Sequence, residues 1–408
     1  GTCFQRCVGM DALNSLHSTT FEIDEKHKTN YHKRFLEFVK MVQKENLVIG
    51  GAMTDPKGDR SKGPAEQDDP DLFTRVVAKD DKGIYVSGAK AHQTGCINSH
   101  WIILMPTVRL TENDKDWAVV GAIPADAKGV TYIYGRQSCD TRSMEEGTID
   151  DGNAKYGGQE ALMILDRVFI PWDKVFMYGE YEFASMLIER FTCYHRRSYV
   201  CKTGLGDVLI GAAATIADYN GIPNVSHIKD KLVEMTHLNE TIFAAGIASS
   251  YLGHKMKSGV YLNEDMLAQV CKHNVTRFPY EISRLAQDIA GGLVVTLPSE
   301  KDFRHPVAGP MLKKYLKGRK GVDVENRMRV LRLIENMTLG RNAVGYLTES
   351  MHGAGSPQAQ RIQMQRQMQI GYKKNLAKNL AGITNDIEKP NEPSDYFNRV
   401  FKTKDSVL

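Results

Sequence analysis

The chain has 408 residues, with 53 Lys and Arg against 49 Asp and Glu, a formal net charge of +4, and 42% hydrophobic and 25% charged residues. That balance belongs to a folded globular protein; it excludes disordered and collagen-like chains and leaves no basic patch to read as a nucleic-acid footprint. The longest nearly apolar stretch, Ile289 to Leu297, falls far short of the roughly 20 residues that span a bilayer, and no signal segment opens the sequence. A cytoplasmic protein with a small-molecule partner, and with neither nucleic acid nor membrane as partner, is expected.

Residues 1 to 46 read as helical, because Phe35, Phe38, Val39 and Val42 fall at i, i+3, i+4 and i+7 and form one apolar stripe. From Leu47 the period shortens. Runs at 83–87, 101–104, 118–120, 130–134 and 162–165, each bounded by Gly, Pro, Asp or Asn, predict a mostly antiparallel β region to about Pro171. After Phe183 the helical period returns. Ile228, Leu232, Met235, Leu238 and Ile242 trace a buried stripe behind Ser226 as N-cap, and helical patterns cover 265–290, 324–348 and 357–383. Four or five long helices imply a bundle, and the basic run Lys313 to Lys320 reads as a solvated loop.

Seven cysteines, Cys3, Cys7, Cys96, Cys139, Cys193, Cys201 and Cys271, are an odd number in a large chain without secretory features, which suggests reduced thiols or metal ligands. Cys3 and Cys7 are four apart, so on a helix they share a face at roughly 5–6 Å between Cβ atoms. A second segment, 191–202, packs Cys193, His195, Tyr199, Cys201 and Lys202 into a few turns. Three Cys and one His from two distant segments suit structural zinc or an iron–sulfur cluster; the lack of a C-x-x-C knuckle leans toward the cluster. Three further loops carry hydrogen-bonding groups among small residues: 50–60, 91–95 and 348–357.

Five runs bring these segments together: Gly-Ala-Met-Thr-Asp-Pro-Lys-Gly-Asp-Arg at 51–60, Gly-Ala-Lys-Ala-His-Gln-Thr-Gly at 88–95, Tyr-Gly-Arg-Gln-Ser-Cys-Asp-Thr-Arg at 134–142, Asn-Val-Thr-Arg-Phe-Pro-Tyr-Glu at 274–281 and Glu-Ser-Met-His-Gly-Ala-Gly-Ser-Pro-Gln-Ala-Gln-Arg at 349–361. With them the chain resembles the 4-hydroxybutyryl-CoA dehydratase family, which also has vinylacetyl-CoA Δ-isomerase activity, along almost its whole length. The resemblance implies an α+β, acyl-CoA dehydrogenase-like fold: a remnant of an N-terminal helical domain at 1–46, a central antiparallel β domain at 47–182 and a C-terminal helical bundle at 183–408. It also implies a homotetramer, FAD, a 4Fe-4S cluster and a CoA-thioester substrate. The family opens with about a hundred more residues than this chain, which begins without Met, so an upstream portion is expected to be missing.

By the same resemblance Cys3, Cys7, His195 and Cys201 ligate the cluster. His195 is the candidate base at C2 of the substrate, with Glu349 as its alternative or proton partner. Tyr199 and Lys202 assist departure of the C4 hydroxyl, while Glu160 and Thr94 sit near substrate or flavin. Met53, Thr54, Asp55, Pro56, Arg60, His92, Gln93, Thr94 and Gly353 would contact cofactor. The C3 hydrogen is not activated by the thioester carbonyl; taking one electron from the enolate into the flavin acidifies it, and the cluster acts as Lewis acid on the C4 oxygen. An oxygen-sensitive, anaerobic radical enzyme is expected.

One departure from the family pattern is geometric. Two glycines stand between the Tyr and the Cys in the family where this sequence has only Val200, so His195 and Cys201 are six apart. On an unbroken helix a six-residue step lands about 120° off the starting face, which requires a local break near Tyr199 or replacement of Cys201 by Cys193. Two other functions are compatible with the sequence: a reduced-flavin-dependent aromatic hydroxylase of the same superfamily, and a non-catalytic metal or redox protein.

Overall fold

The computed structural model describes residues 6–134 and 160–387. Cys3 and the run at 135–142 therefore lie outside the described residues.

Helices α1 (Cys7–His27) and α2 (Tyr31–Lys44) form an antiparallel hairpin. It turns at Lys28, whose φ of 57° ends α1, and the Asp24 carboxylate accepts from the backbone N–H groups of Tyr31 and His32, each at 2.9 Å, at the start of α2. The apolar stripe of α2 faces inward as its spacing requires: Phe35, Phe38 and Val42 are buried, and Phe35 meets Phe176 edge-on at 5.6 Å. Helix α1 approaches the first strand so closely that a Cβ on Gly9 would lie 1.9 Å from the Ile49 carbonyl oxygen. Only glycine fits there.

Two four-stranded sheets follow. In the first, β1 (Ile49–Ala52), β4 (Trp101–Leu104), β5 (Val119–Pro124) and β8 (Val175–Tyr178) lie in the order β1-β4-β5-β8. In the second, β2 (Arg75–Lys79), β3 (Gly83–Thr94), β7 (Glu160–Pro171) and β6 (Val130–Tyr134) lie in the order β2-β3-β7-β6. Only the β1–β4 pair among these is parallel. The runs at 101–104 and 130–134 are strands at those bounds, whereas β3 and β7 extend well past their apolar cores. They do so by pairing with each other through bulges near Ser87 and between Lys90 and Gln93, which carry the strands on into polar sequence.

The helical half begins with α3 (Ala184–Ser198), α4 (Lys202–Tyr219), α5 (Ser226–Tyr251), α6 (Asp265–Val275) and α7 (Phe278–Ala290). Ile228, Met235, Leu238 and Ile242 of α5 are buried. Several expectations need correction. Val225, not Ser226, occupies the cap position of α5. The pattern over 265–290 is two helices because Pro279, which lacks an N–H, starts a new one. The pattern over 324–348 stops at Thr338 and resumes as a short α-helical piece, Arg341–Ala343, that runs into a π-helical turn, Val344–Thr348. That over 357–383 breaks at Gln369, which has φ 47°. The basic run opens inside a helix, Ala308–Tyr315.

The run Tyr181–Tyr219 is long and apolar enough by composition to cross a membrane. In the fold it sends Leu187 and Phe191 into the core shared with the sheets and Leu209, Ala213 and Ile216 into the core of the bundle. A small third cluster contains Tyr199, Ile242, Cys271 and Val275.

Candidate active site

Helix α1 buries a polar face, including Asp11, Ser15 and Thr19, against α3. Asp11, 2% exposed, accepts from Ser198 Oγ at 3.1 Å and pairs with His195 Nδ1 at 2.9 Å. An ionised carboxylate can only accept, so Nδ1 is the donor of this pair and Nε2 is the ring nitrogen turned to other partners. Ligand atoms of Cys7, Asp11 and His195 lie within 4.8 Å of one another. Asp11 was not foreseen from the sequence; the available signal was its position four residues after Cys7, on the same helical face.

The chain breaks where the shortened spacing demanded it. Helix α3 ends at Ser198, Tyr199–Cys201 form one 3-10 turn, and α4 starts at Lys202. Three steps of about 120° in place of about 100° bring Cys201 from about 120° to about 60° off the His195 face. Cys201 lines the same cavity as Cys7 and His195. Cys193 does not substitute for it: the thiol is buried with its Sγ 3.3 Å from the Asn263 carbonyl, and burial pushes its pKa far up.

Tyr199 and Lys202 meet Glu349, which follows the π-helical turn. Tyr199 Oη donates to Glu349 Oε1 at 2.8 Å; Lys202 Nζ donates to Glu349 Oε2 and to the Gly345 carbonyl, each at 2.8 Å. Burial pushes the Glu349 carboxyl up, but the charge of Lys202, the bonds from Lys202 and Tyr199, and Lys272 together bring it below the usual range. Burial and the Glu349 carboxylate drive the Tyr199 phenol well above 10, with Cys7 and Cys201 adding to the shift. Gly353 abuts this pair: a Cβ there would lie 1.7 Å from Tyr199 Oη. Its lack of a side chain makes room for the phenol.

The opposite wall comes from the β region. Met53, Thr54, Asp55 and Pro56 follow β1, His92, Gln93 and Thr94 end β3, and Glu160 starts β7. All of these, with Arg60 and Gly353, line the cavity. Two of them are bound up by the protein itself. Asp55 accepts from Lys90 Nζ at 2.6 Å and from Thr107 Oγ1 at 2.6 Å, and the Gln93 amide donates to the Thr54 and Ala91 carbonyls. They shape the wall more than they offer groups to a ligand. Thr94 Oγ1 donates to Glu160 Oε2 at 2.6 Å. His92 sits at the bulge with φ 56°, a strained conformation for a residue with a Cβ, and burial, then Lys57 and His352, lower its pKa. The cavity, open to solvent and about 1560 Å³ in volume, exceeds the roughly 300–1,000 Å³ of a pocket for one small ligand and leaves room for more than one.

Residues 1–177 match the family model for the N-terminal part of 4-hydroxyphenylacetate 3-hydroxylase, and residues 184–382 the model for its C-terminal part. A relative from Clostridium aminobutyricum, a 4-hydroxybutyryl-CoA dehydratase/vinylacetyl-CoA Δ-isomerase, is 59% identical over 392 residues, or 94% of this chain and 80% of the relative. Among solved structures, one described as an oxygen-tolerant archaeal 4-hydroxybutyryl-CoA dehydratase from N. maritimus is 91% identical with a TM-score of 0.96, covering 99% of this chain and 81% of that one. The oxygenase component of 4-hydroxyphenylacetate 3-monooxygenase, solved with FAD, is 21% identical with a TM-score of 0.80 over 92% of this chain and 77% of its own, and so shares the fold. The chain belongs to the 4-hydroxyphenylacetate 3-hydroxylase family and, within it, to the 4-hydroxybutyryl-CoA dehydratase/vinylacetyl-CoA Δ-isomerase branch.

Proposed function

We propose that the protein reversibly dehydrates 4-hydroxybutyryl-CoA to crotonyl-CoA and isomerises vinylacetyl-CoA, with FAD and a 4Fe-4S cluster in one cavity. The observation that carries this is the convergence on a single cavity of thiol and imidazole groups (Cys7, Cys201, His195) with the Tyr199–Glu349–Lys202 group, opposite the wall formed by Met53 to Pro56 and His92 to Thr94. The 59% identical dehydratase supports the reaction, and the fold shared with an FAD-bound oxygenase supports the flavin.

The donor set suits an iron–sulfur cluster: two thiols and one imidazole, with the imidazole oriented from behind by a carboxylate as in many metal sites. Cys7, Cys201 and His195 Nε2 would hold it, with Cys3 as the fourth ligand. When bound, the two groups supply one-electron exchange with the substrate enolate and Lewis acidity toward the C4 oxygen.

The side chains do the rest. His195 has given Nδ1 to Asp11, so Nε2 can bind iron or take a proton, one at a time. Glu349, held ionised by Lys202, Tyr199 and Lys272, serves as base at C2 while Nε2 is engaged. Tyr199 and Lys202, both bonded to Glu349, are placed to hand a proton to the departing hydroxyl. Thr94 and Glu160 hold each other on the facing wall and orient the substrate. The same proposal divides the chain at 46 and 182 and makes the active form a homotetramer, which the exposed Phe243, Ile247 and Tyr251 at four-residue spacing on α5 support. Cys96, Cys193 and Cys271 are reduced thiols, in keeping with a cytoplasmic enzyme. The oxygen tolerance described for the 91% identical relative leads us to propose tolerance here, in place of the lability expected from the sequence.

Iron, acid-labile sulfide and FAD assays on protein prepared with and without air, alongside conversion of 4-hydroxybutyryl-CoA to crotonyl-CoA, test this. Iron, sulfide and FAD present together, with product formed, are expected. FAD without iron, and oxygen consumed with a phenol, would establish the hydroxylase; zinc without flavin would establish a metal protein.

A further inference from the structure

One buried, ionisable group beside the cavity enters the chemistry above only as a charge near Glu349. Lys272, on α6, is 0% exposed and is not among the residues that line the cavity. Its Nζ lies 4.0 Å from the centre of the Tyr199 ring and donates to the carbonyl of Ser350, the residue after Glu349. Lys202, which does line the cavity, stands 5.6 Å from the same ring. The phenol that bonds Glu349 is therefore held by two cations carried on different helices.

We propose that Lys272 is a positioning residue for the Tyr199–Glu349 pair, tying the ring of one and the backbone beside the other to a single ammonium group. Three segments far apart in the chain meet at this atom: the 3-10 turn at Tyr199–Cys201, helix α6 and the turn that carries Glu349. The attraction of an ammonium for a ring face strengthens when both are desolvated, as here. A phenol that donates at 2.8 Å keeps that geometry only if its ring cannot slide; Gly353 leaves it space, while Ile242, Cys271, Val275 and the edge of His195 pack around it. Lys272 adds a charged contact to that packing.

Its electrostatic surroundings agree. Burial lowers the ammonium to about 7, against the pull of Glu349, while Lys202 and Arg196 lower it further and Cys271 raises it. Lys272 in turn is one of the groups that hold Glu349 ionised. A lysine buried at this cost and in contact with the reacting pair is a candidate for function.

The inference rests on the dehydratase reading, and a double-mutant cycle in the holoenzyme tests it separately. Lys272→Met and Lys272→Gln are made in the wild-type and Tyr199→Phe backgrounds, and kcat and KM for dehydration are measured across pH. With Tyr199 intact, kcat should fall roughly 10- to 100-fold, the scale of a small misplacement of catalytic groups, while KM stays within about twofold. In the Tyr199→Phe background the further loss, read above the acid limb, should be several-fold smaller than with Tyr199 intact, because the phenol arm of the restraint is already gone and only the arm to Ser350 remains. The acid limb of kcat should move to higher pH, since Glu349 loses a neighbouring cation. Additive losses, or a rise in KM with kcat unchanged, would overturn the proposal. Failure of both variants to fold and bind FAD, with Lys272→Arg folding normally, would make the lysine a structural charge and overturn it too. A wild-type holoenzyme without dehydration would instead remove the functional reading beneath it.

Discussion

Lys90, in β3, and Lys272, in α6, are both shut off from solvent, with 2% and 0% exposure, one behind the β wall of the cavity and one behind its helical wall. Lys90 has three oxygen acceptors: the Met53 carbonyl at 3.0 Å, the Met105 carbonyl at 2.7 Å and the Asp55 carboxylate at 2.6 Å. Among the described residues, Lys272 has one carbonyl and a ring face. A buried ammonium whose three hydrogens are all accepted is a pin, and this one fixes the Met53–Asp55 segment that walls the cavity. One with a single acceptor, beside a carboxylate already shared between Tyr199 and Lys202, stores electrostatic tension next to reacting groups. Satisfaction of the charge, and not burial, separates the structural lysine from the functional one.

Three measurements break or sharpen that contrast. The largest effect is expected on the helical wall. Glu349→Gln keeps the side-chain shape but removes the carboxylate on which Tyr199 and Lys202 converge, so kcat should drop about 10²- to 10⁴-fold, the range for a general base, with FAD retained. Steady-state kinetics and flavin absorbance check it; an unchanged kcat would take the base role away from Glu349.

On the β wall the effect should be on stability. Asp55→Ala leaves Lys90 as an uncompensated buried charge and should cost about 3–5 kcal/mol in urea unfolding, with loss of FAD affinity as the loop loses its pin. Pairing it with Lys90→Met should restore most of the stability, because an apolar replacement removes the stranded charge. A single variant as stable as wild type would show that the pair is not the pin described.

The smallest effect is a slope. Lys272 titrates at about 7 in the fold against 10.5 for an ordinary lysine. Between those values the unfolded chain carries the proton and the folded chain does not, so stability rises with pH from about 7 to 10.5. Burial lowers Lys90 as well, so Lys272→Met should flatten this slope without abolishing it. Thermal midpoints measured from pH 7 to 10 read it directly, and a slope unchanged by Lys272→Met would contradict the downward shift.

Much of the site was legible because its parts lie in short contiguous runs. The thiol at Cys7, the His195-to-Lys202 segment and the loops at 51–60, 88–95 and 349–361 are visible one residue after another, and the six-residue gap between His195 and Cys201 demanded a break that the 3-10 turn provides. What was not legible is how these runs are supported. Asp11 and His195 are 184 positions apart, Lys272 and Ser350 78, and Lys90 and Asp55 35. No local pattern marks such pairs. Nor did periodicity mark the ends of the helices: the patterns over 265–290 and 357–383 continue across breaks set by Pro279 and by the left-handed Gln369.

The sequence by itself determined the order of helical and β segments and which residues are chemically able to react, since periodicity and residue type are local properties of the chain. Only the tertiary structure decided what each of those residues does. A thiol at position 193 is buried against a carbonyl while one at 201 faces the cavity. Asp55 became a brace, and Lys272 came to rest against Tyr199. Burial and neighbouring charge fix a side chain's protonation and hydrogen-bond partners, and both are set by segments that meet only when the chain has folded.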